Sequence, residues 1–217
     1  MELVLVSLLG GALALDGTSV GQFMVSRPLV AGSVTGWLLG DPALGILVGA
    51  ILELYVLVSF PSGGARYPEG ATATVVAVAS ASAVDAPGAL PLGVAAGLVW
   101  GQVGGLSVSA LRRLNGRIVP EPDAPHPGRV ALSHPLAVAT DGVRGTVVTL
   151  AGVLFGRWGV GWLAGSWPLE ARDTRGLLLV GGAVSAGVLL RTFGSVRRHR
   201  ILFAAGLALG LLGARLL

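Results

Sequence analysis

Apolar runs recur along the whole chain, and most are interrupted before they reach the length of a membrane span. A single helix crossing the ~30 Å hydrocarbon layer needs about 20 apolar residues. The run at 3–15 ends on Asp16, the run at 30–40 ends on Asp41-Pro42, and 43–60 carries Glu53 before the break Pro61-Ser62-Gly63-Gly64. Two further runs follow at 71–84 and 89–111. Non-helical backbone at membrane depth survives only where protein or a polar cavity satisfies its amides and carbonyls. Breaks of this kind surround transport sites in many carriers. The predicted fold class is therefore all-α, a polytopic membrane protein with broken and re-entrant helices.

Composition removes the alternatives. Charged residues make up 12% of the chain, against about 25% in soluble domains whose surface must face water. With 53% hydrophobic residues and 35 glycines, the chain cannot cover a soluble surface. Cysteine is absent, which excludes thiol catalysis and thiolate metal sites, and no cofactor is expected. A net charge of +4 and a pI near 10.9 would suggest nucleic acid for a soluble protein. Here topology accounts for it, because arginines collect in cytoplasmic loops and set orientation; no nucleic-acid partner is expected.

Residues 112–134 hold Arg112, Arg113, Arg117, Arg129 and several prolines, and read as the main polar cytoplasmic loop. The loop divides an N-terminal membrane region, 1–111, from C-terminal membrane helices, 135–217. A second basic cluster, Arg191 with Arg197, Arg198, His199 and Arg200, belongs on the same side, so an even number of crossings separates the two. About six to nine membrane segments are expected, some partial. Glu2 stands where a signal sequence would carry a base, so no cleavage is expected.

Ionisable residues inside apolar runs cost roughly 2.5–3.5 kcal/mol each on insertion scales and usually line a polar pathway. Glu53 is such a residue; it either faces a ligand or pairs with an arginine from another helix. Asp16, Gln22 and Arg27-Pro28 form a polar interval with a Gly/Ser/Thr turn. Carboxylates and amides there suit sugar hydroxyls, each able to make paired hydrogen bonds to neighbouring hydroxyl groups; an ordinary loop is the alternative. Asp41-Pro42 reads as a helix stop and new start, with Asp41 capping the next helix. The stretch 61–69 ends in Pro68-Glu69, where glycines let backbone approach a ligand and a new helix presents free amides. His126, His134 and His199 lie beside the arginines without metal spacing. Trp100, Trp158, Trp162 and Trp167 read as interfacial anchors near segment ends.

Leu15-Asp16, Gln22 to Leu29, the Leu-Leu-Gly-Asp ending at Asp41, Gly49 to Glu53, Gly63-Gly64 and Pro68-Glu69 agree in order and spacing over roughly residues 10 to 80. In this respect the chain resembles the IIC membrane component of mannose/fructose/sorbose-family phosphotransferase systems. The second half agrees mainly in hydropathy. Two departures stand out: Glu69 where members commonly carry aspartate, and Pro61 where some mannose carriers have asparagine.

The resemblance implies a multi-pass permease subunit of the bacterial inner membrane. It would bind a hexose or amino-hexose and translocate it by an elevator-like movement, for phosphorylation by a cytosolic IIB protein. Implied partners are a membrane IID subunit and cytosolic IIA and IIB proteins, with a homo-oligomer also compatible. The phosphorylation site belongs to the partners. The resemblance places Gln22, Glu53 and Glu69 toward the sugar and gives Arg27 and Asp41 structural roles; taken with the residue reading above, Asp16 joins the sugar-facing set and Pro28, Gly63, Gly64 and Pro68 the structural one. A divergent IIC-like regulator or scaffold is the competing expectation.

Overall fold

The computed structural model describes residues 1–57, 67–118, 127–169 and 171–192, with helical positions at 200–201, 204–206 and 208. Among the described residues the regular structure is helical. The order is α1 (Glu2–Thr18), α2 (Pro28–Leu39), α3 (Pro42–Val56), α4 (Gly70–Ala81), α5 (Ala89–Ile118), α6 (Pro127–Leu163), a 3-10 turn (Ala164–Ser166) and α7 (Ala171–Thr192).

The local chemistry sets the boundaries. Proline at the first position of α2 and of α3 gives up an amide that has no helical partner there. Gly40 ends α2 in the left-handed region, φ 82°, a backbone conformation that residues with a Cβ rarely adopt. Asp41 then caps α3 by accepting the Leu44 N–H at 2.9 Å. Helix α4, with 12 residues, is about 18 Å long and too short to cross a bilayer. Helices α5 and α6, with 30 and 37 residues, exceed that thickness, and both are apolar enough to be spans.

Packing is antiparallel and close. In the α2–α3 hairpin, Gly32 and Gly36 face Gly45 and Gly49, so backbone meets backbone; a Cβ on Gly36 would lie 2.6 Å from the Gly45 Cα. Small residues at four-residue spacing allow this approach in lipid, where apolar burial between helices supplies little drive. Gly93, Gly97 and Gly101 of α5 likewise lie against Ala81, Ala77 and Ala73 of α4. Helix α1 runs along α6 through Gly10, Gly11 and Gly145. Helix α4 sits at the centre, touching α1, α2, α3, α5 and α6, and every residue from Ala71 to Ala81 is buried. Its Val75, Val76 and Ala79 join Val6, Leu13 and Val153 in one core cluster.

Two boundaries differ from the sequence expectation. Much of the interval 112–134 is helical: α5 continues through Arg112, Arg113 and Arg117, and α6 restarts at Pro127. Arginine in a last turn complements the negative end of the helix dipole, which favours continuation. Pro135 falls inside α6 instead of opening it. The Trp100 indole is also no end anchor. It lies midway along α5, half-buried, and its N–H donates to the Val148 carbonyl at 2.8 Å. Trp158 and Trp162 do lie in the last turns of α6, exposed and stacked with ring centroids 6.4 Å apart.

Candidate functional site

The C-terminal ends of α1 and α3 and the N-terminal ends of α2 and α4 converge on one small cavity of about 80 Å3. Its polar lining comes from Thr18, Ser26, Arg27, Tyr67 and Glu69, and its apolar floor includes Pro28, Val56, Pro68 and Ala71. Non-helical backbone at 19–27 and 67–69 borders it, as expected where chain breaks inside an apolar protein.

Glu69 is the buried acid of this cavity, 4% exposed. It stands at the N-cap of α4 without capping it, because its oxygens are held from elsewhere. Arg144 of α6 grips both: Nη2 donates to Oε1 at 2.7 Å and Nη1 to Oε2 at 3.1 Å. Thr72 adds a hydroxyl to Oε2 at 2.8 Å. Arg144 also donates through Nε to Asp141 at 2.8 Å and through Nη1 to Ser107 at 2.7 Å. The second Asp141 oxygen takes the hydroxyls of Thr18 and Ser19. One buried network thus joins α1, α4, α5 and α6. Beside it the Tyr67 ring lies under the Arg112 guanidinium, 5.9 Å from the ring centroid.

Glu53 meets an arginine. It forms an ion pair with Arg27 and accepts the Leu29 N–H at 3.2 Å, so Arg27 lines the cavity while Glu53 stands behind it. Asp16 is buried and serves the backbone, accepting the Phe23 N–H at 2.6 Å and the Ser26 N–H at 2.9 Å. It therefore fixes the loop 19–27 instead of lining the cavity. Gln22 is exposed at φ 53°, in the left-handed region, and is not part of the lining. Pro28 and Pro68 line the cavity, and Asp41 lies away from it as the cap of α3. Gly63, Gly64 and Pro61 lie outside the described residues.

Asp141 and Arg144 were not singled out from the sequence, although a signal for them exists. They are opposite charges three residues apart inside the apolar run 135–154. The rule that draws attention to Glu53, an ionisable group costly in lipid, applies to them with more force because both are buried: their side chains are 0% and 9% exposed.

A family model described as the sorbose-specific IIC component of the phosphotransferase system matches residues 1–206. The sorbose-specific EIIC component of Lacticaseibacillus casei is 40% identical over 60 residues, covering 28% of this chain and 22% of that protein. The mannose-specific EIIC component of Escherichia coli K12 is 33% identical over 76 residues, covering 35% and 28%. The matched segments thus span about a quarter of the length of these relatives. A solved structure described as "Structure of membrane protein" superposes with a TM-score of 0.70 over 99% of this chain and 91% of that one, at 18% identity. That likeness shows a shared fold.

Proposed function

The chain belongs to the sorbose-specific IIC component family of the phosphotransferase systems, a family of membrane components, and on that premise we propose that it carries sugar. In this reading it is a multi-pass subunit of the bacterial cytoplasmic membrane. It binds a hexose or amino-hexose in the cavity beside Glu69 and carries it across for phosphorylation by a cytosolic IIB protein, together with IIA and a membrane IID subunit. The phosphoryl group passes between the soluble partners and the sugar, and this chain supplies the site and its movement.

The observation that carries the reading is the charge pairing of the lining. Each charged lining residue has a countercharge within hydrogen-bond reach, Arg27 with Glu53 and Glu69 with Arg144. Arg144 is shared between Glu69 and Asp141, so the paired network keeps one net negative charge, and the lining offers both donors and acceptors, which suits the hydroxyls of a polyol. Its volume, about 80 Å3, has room for a few waters and lies below the several hundred Å3 of pockets that enclose small ligands. In this reading the arrangement is a closed one, and the sugar enters when the lining around α4 and the loop 19–27 opens.

The test is phosphorylating uptake of labelled sorbose, mannose, fructose and N-acetylglucosamine. The hosts would be cells lacking their own carriers and supplied with the partner proteins. Glu69→Gln should reduce uptake about tenfold or more at equal membrane abundance, since hydrogen bonds to a charged group are worth ~1.5–3 kcal/mol. Unchanged uptake in that variant would count against the site.

A further inference from the structure

Two walls of the cavity are set from behind by a pair of residues that do not line it. Thr18 of α1 and Glu69 of α4 both do. Asp141 accepts the Thr18 hydroxyl, Arg144 holds Glu69 by two hydrogen bonds, and Asp141 and Arg144 are themselves joined at 2.8 Å. We infer that Asp141 and Arg144 are positioning residues for the sugar, which set the spacing of a hydroxyl and a carboxylate in the cavity lining. The inference rests on the sugar-site reading above.

The hydrogen-bond inventory says what Glu69 can do once it is held. An ionised carboxylate has about four acceptor positions. Arg144 occupies one on each oxygen and Thr72 a second on Oε2, which leaves one on Oε1 for a ligand hydroxyl. The pairing also keeps Glu69 from turning back onto the amides of its own helix. The planar guanidinium fork matters here, because lysine offers a point charge without the bidentate geometry that fixes the carboxylate plane. Gly104 of α5 completes the clamp: a Cβ there would lie 2.6 Å from Glu69 Oε2 and 2.8 Å from both its Cβ and Thr72 Oγ1, so a side chain at this position crowds the acid and the hydroxyl that holds it.

The experiment measures uptake of the same four labelled sugars at varied concentration, for the full chain with its partner proteins. Arg144→Lys keeps the charge and loses the fork; Gly104→Ala keeps Arg144 and shifts Glu69. Both should raise KM about tenfold for whichever sugar the parent chain carries, while Vmax per molecule stays within about twofold, as expected when binding geometry and not assembly is altered. If Arg144→Lys and Gly104→Ala lower only the amount of protein, or only Vmax, with KM unmoved, the positioning role is overturned. If the parent chain itself takes up none of the sugars, the sugar-site reading fails first, and that result is recognisable because it precedes any comparison of variants.

Discussion

Two ion pairs flank the cavity, and they are built differently. Arg27 and Glu53 lie 26 residues apart within the α2–α3 hairpin, with side chains 25% and 19% exposed. Arg144 and Glu69 lie 75 residues apart on α6 and at the start of α4, with side chains 9% and 5% exposed. The first pair closes the open end of a hairpin already zipped by glycine contacts. The second ties four helices together: Asp141, Ser107 and Thr72 share its hydrogen-bonding capacity, and Thr18 and Ser19 join through Asp141. Loss of Arg27 leaves a carboxylate that is still partly exposed, whereas loss of Arg144 strands a buried one.

The largest effect expected from this difference is on Arg144→Ala. Removing one member of a buried, hydrogen-bonded pair costs about 3–5 kcal/mol, which should appear as a large fall in the thermal midpoint of the purified protein in detergent. Arg27→Ala should cost less than this, because Glu53 stays partly exposed and keeps the Leu29 N–H. Equal losses in the two variants would break the comparison.

The hairpin can be attacked through its seam instead of its ion pair. Gly45→Val places a branched side chain against Gly32 and Gly36, whose backbones leave no room for a Cβ. Overpacking typically costs about 1–3 kcal/mol, and Gly159→Val, at a position with open space, should cost almost nothing. A stability difference near zero between these two variants would mean that the α2–α3 crossing can relax. It would then be the ion pair, and not the glycine seam, that holds the hairpin.

The residues explain which parts of this arrangement were readable beforehand. The all-α membrane fold followed from apolar runs and their breaks, because lipid leaves so few backbone solutions. The Gly40-Asp41-Pro42 junction carries its signals within three residues, so its geometry is local. Glu53 was recognisable as costly, yet two outcomes stayed open, because the choice between Arg27 and a ligand depends on how α2 lies against α3. The network of Glu69 with Asp141 and Arg144 needed a contact across 75 residues, and periodicity does not encode which helices meet. Trp100 misled for the same reason: indole enrichment at interfaces is a tendency of segment ends, and α5 extends well past the point where its apolar run stops.

Gln22 gives the smallest expected effect and the sharpest test of the comparison. Its side chain is exposed, its own N–H bonds to the Val20 carbonyl at 2.9 Å, and its φ of 53° is a cost of the loop that Asp16 holds in place. Gln22→Ala removes an amide outside the cavity lining, so stability should change by less than about 0.5 kcal/mol and sugar uptake by less than about twofold. If uptake instead falls as far as it does in Glu69→Gln, while the thermal midpoint stays put, the amide must meet the sugar after the loop 19–27 moves. The loop would then join the binding surface in the open conformation, and the division between cavity lining and supporting residues would hold only for the closed one.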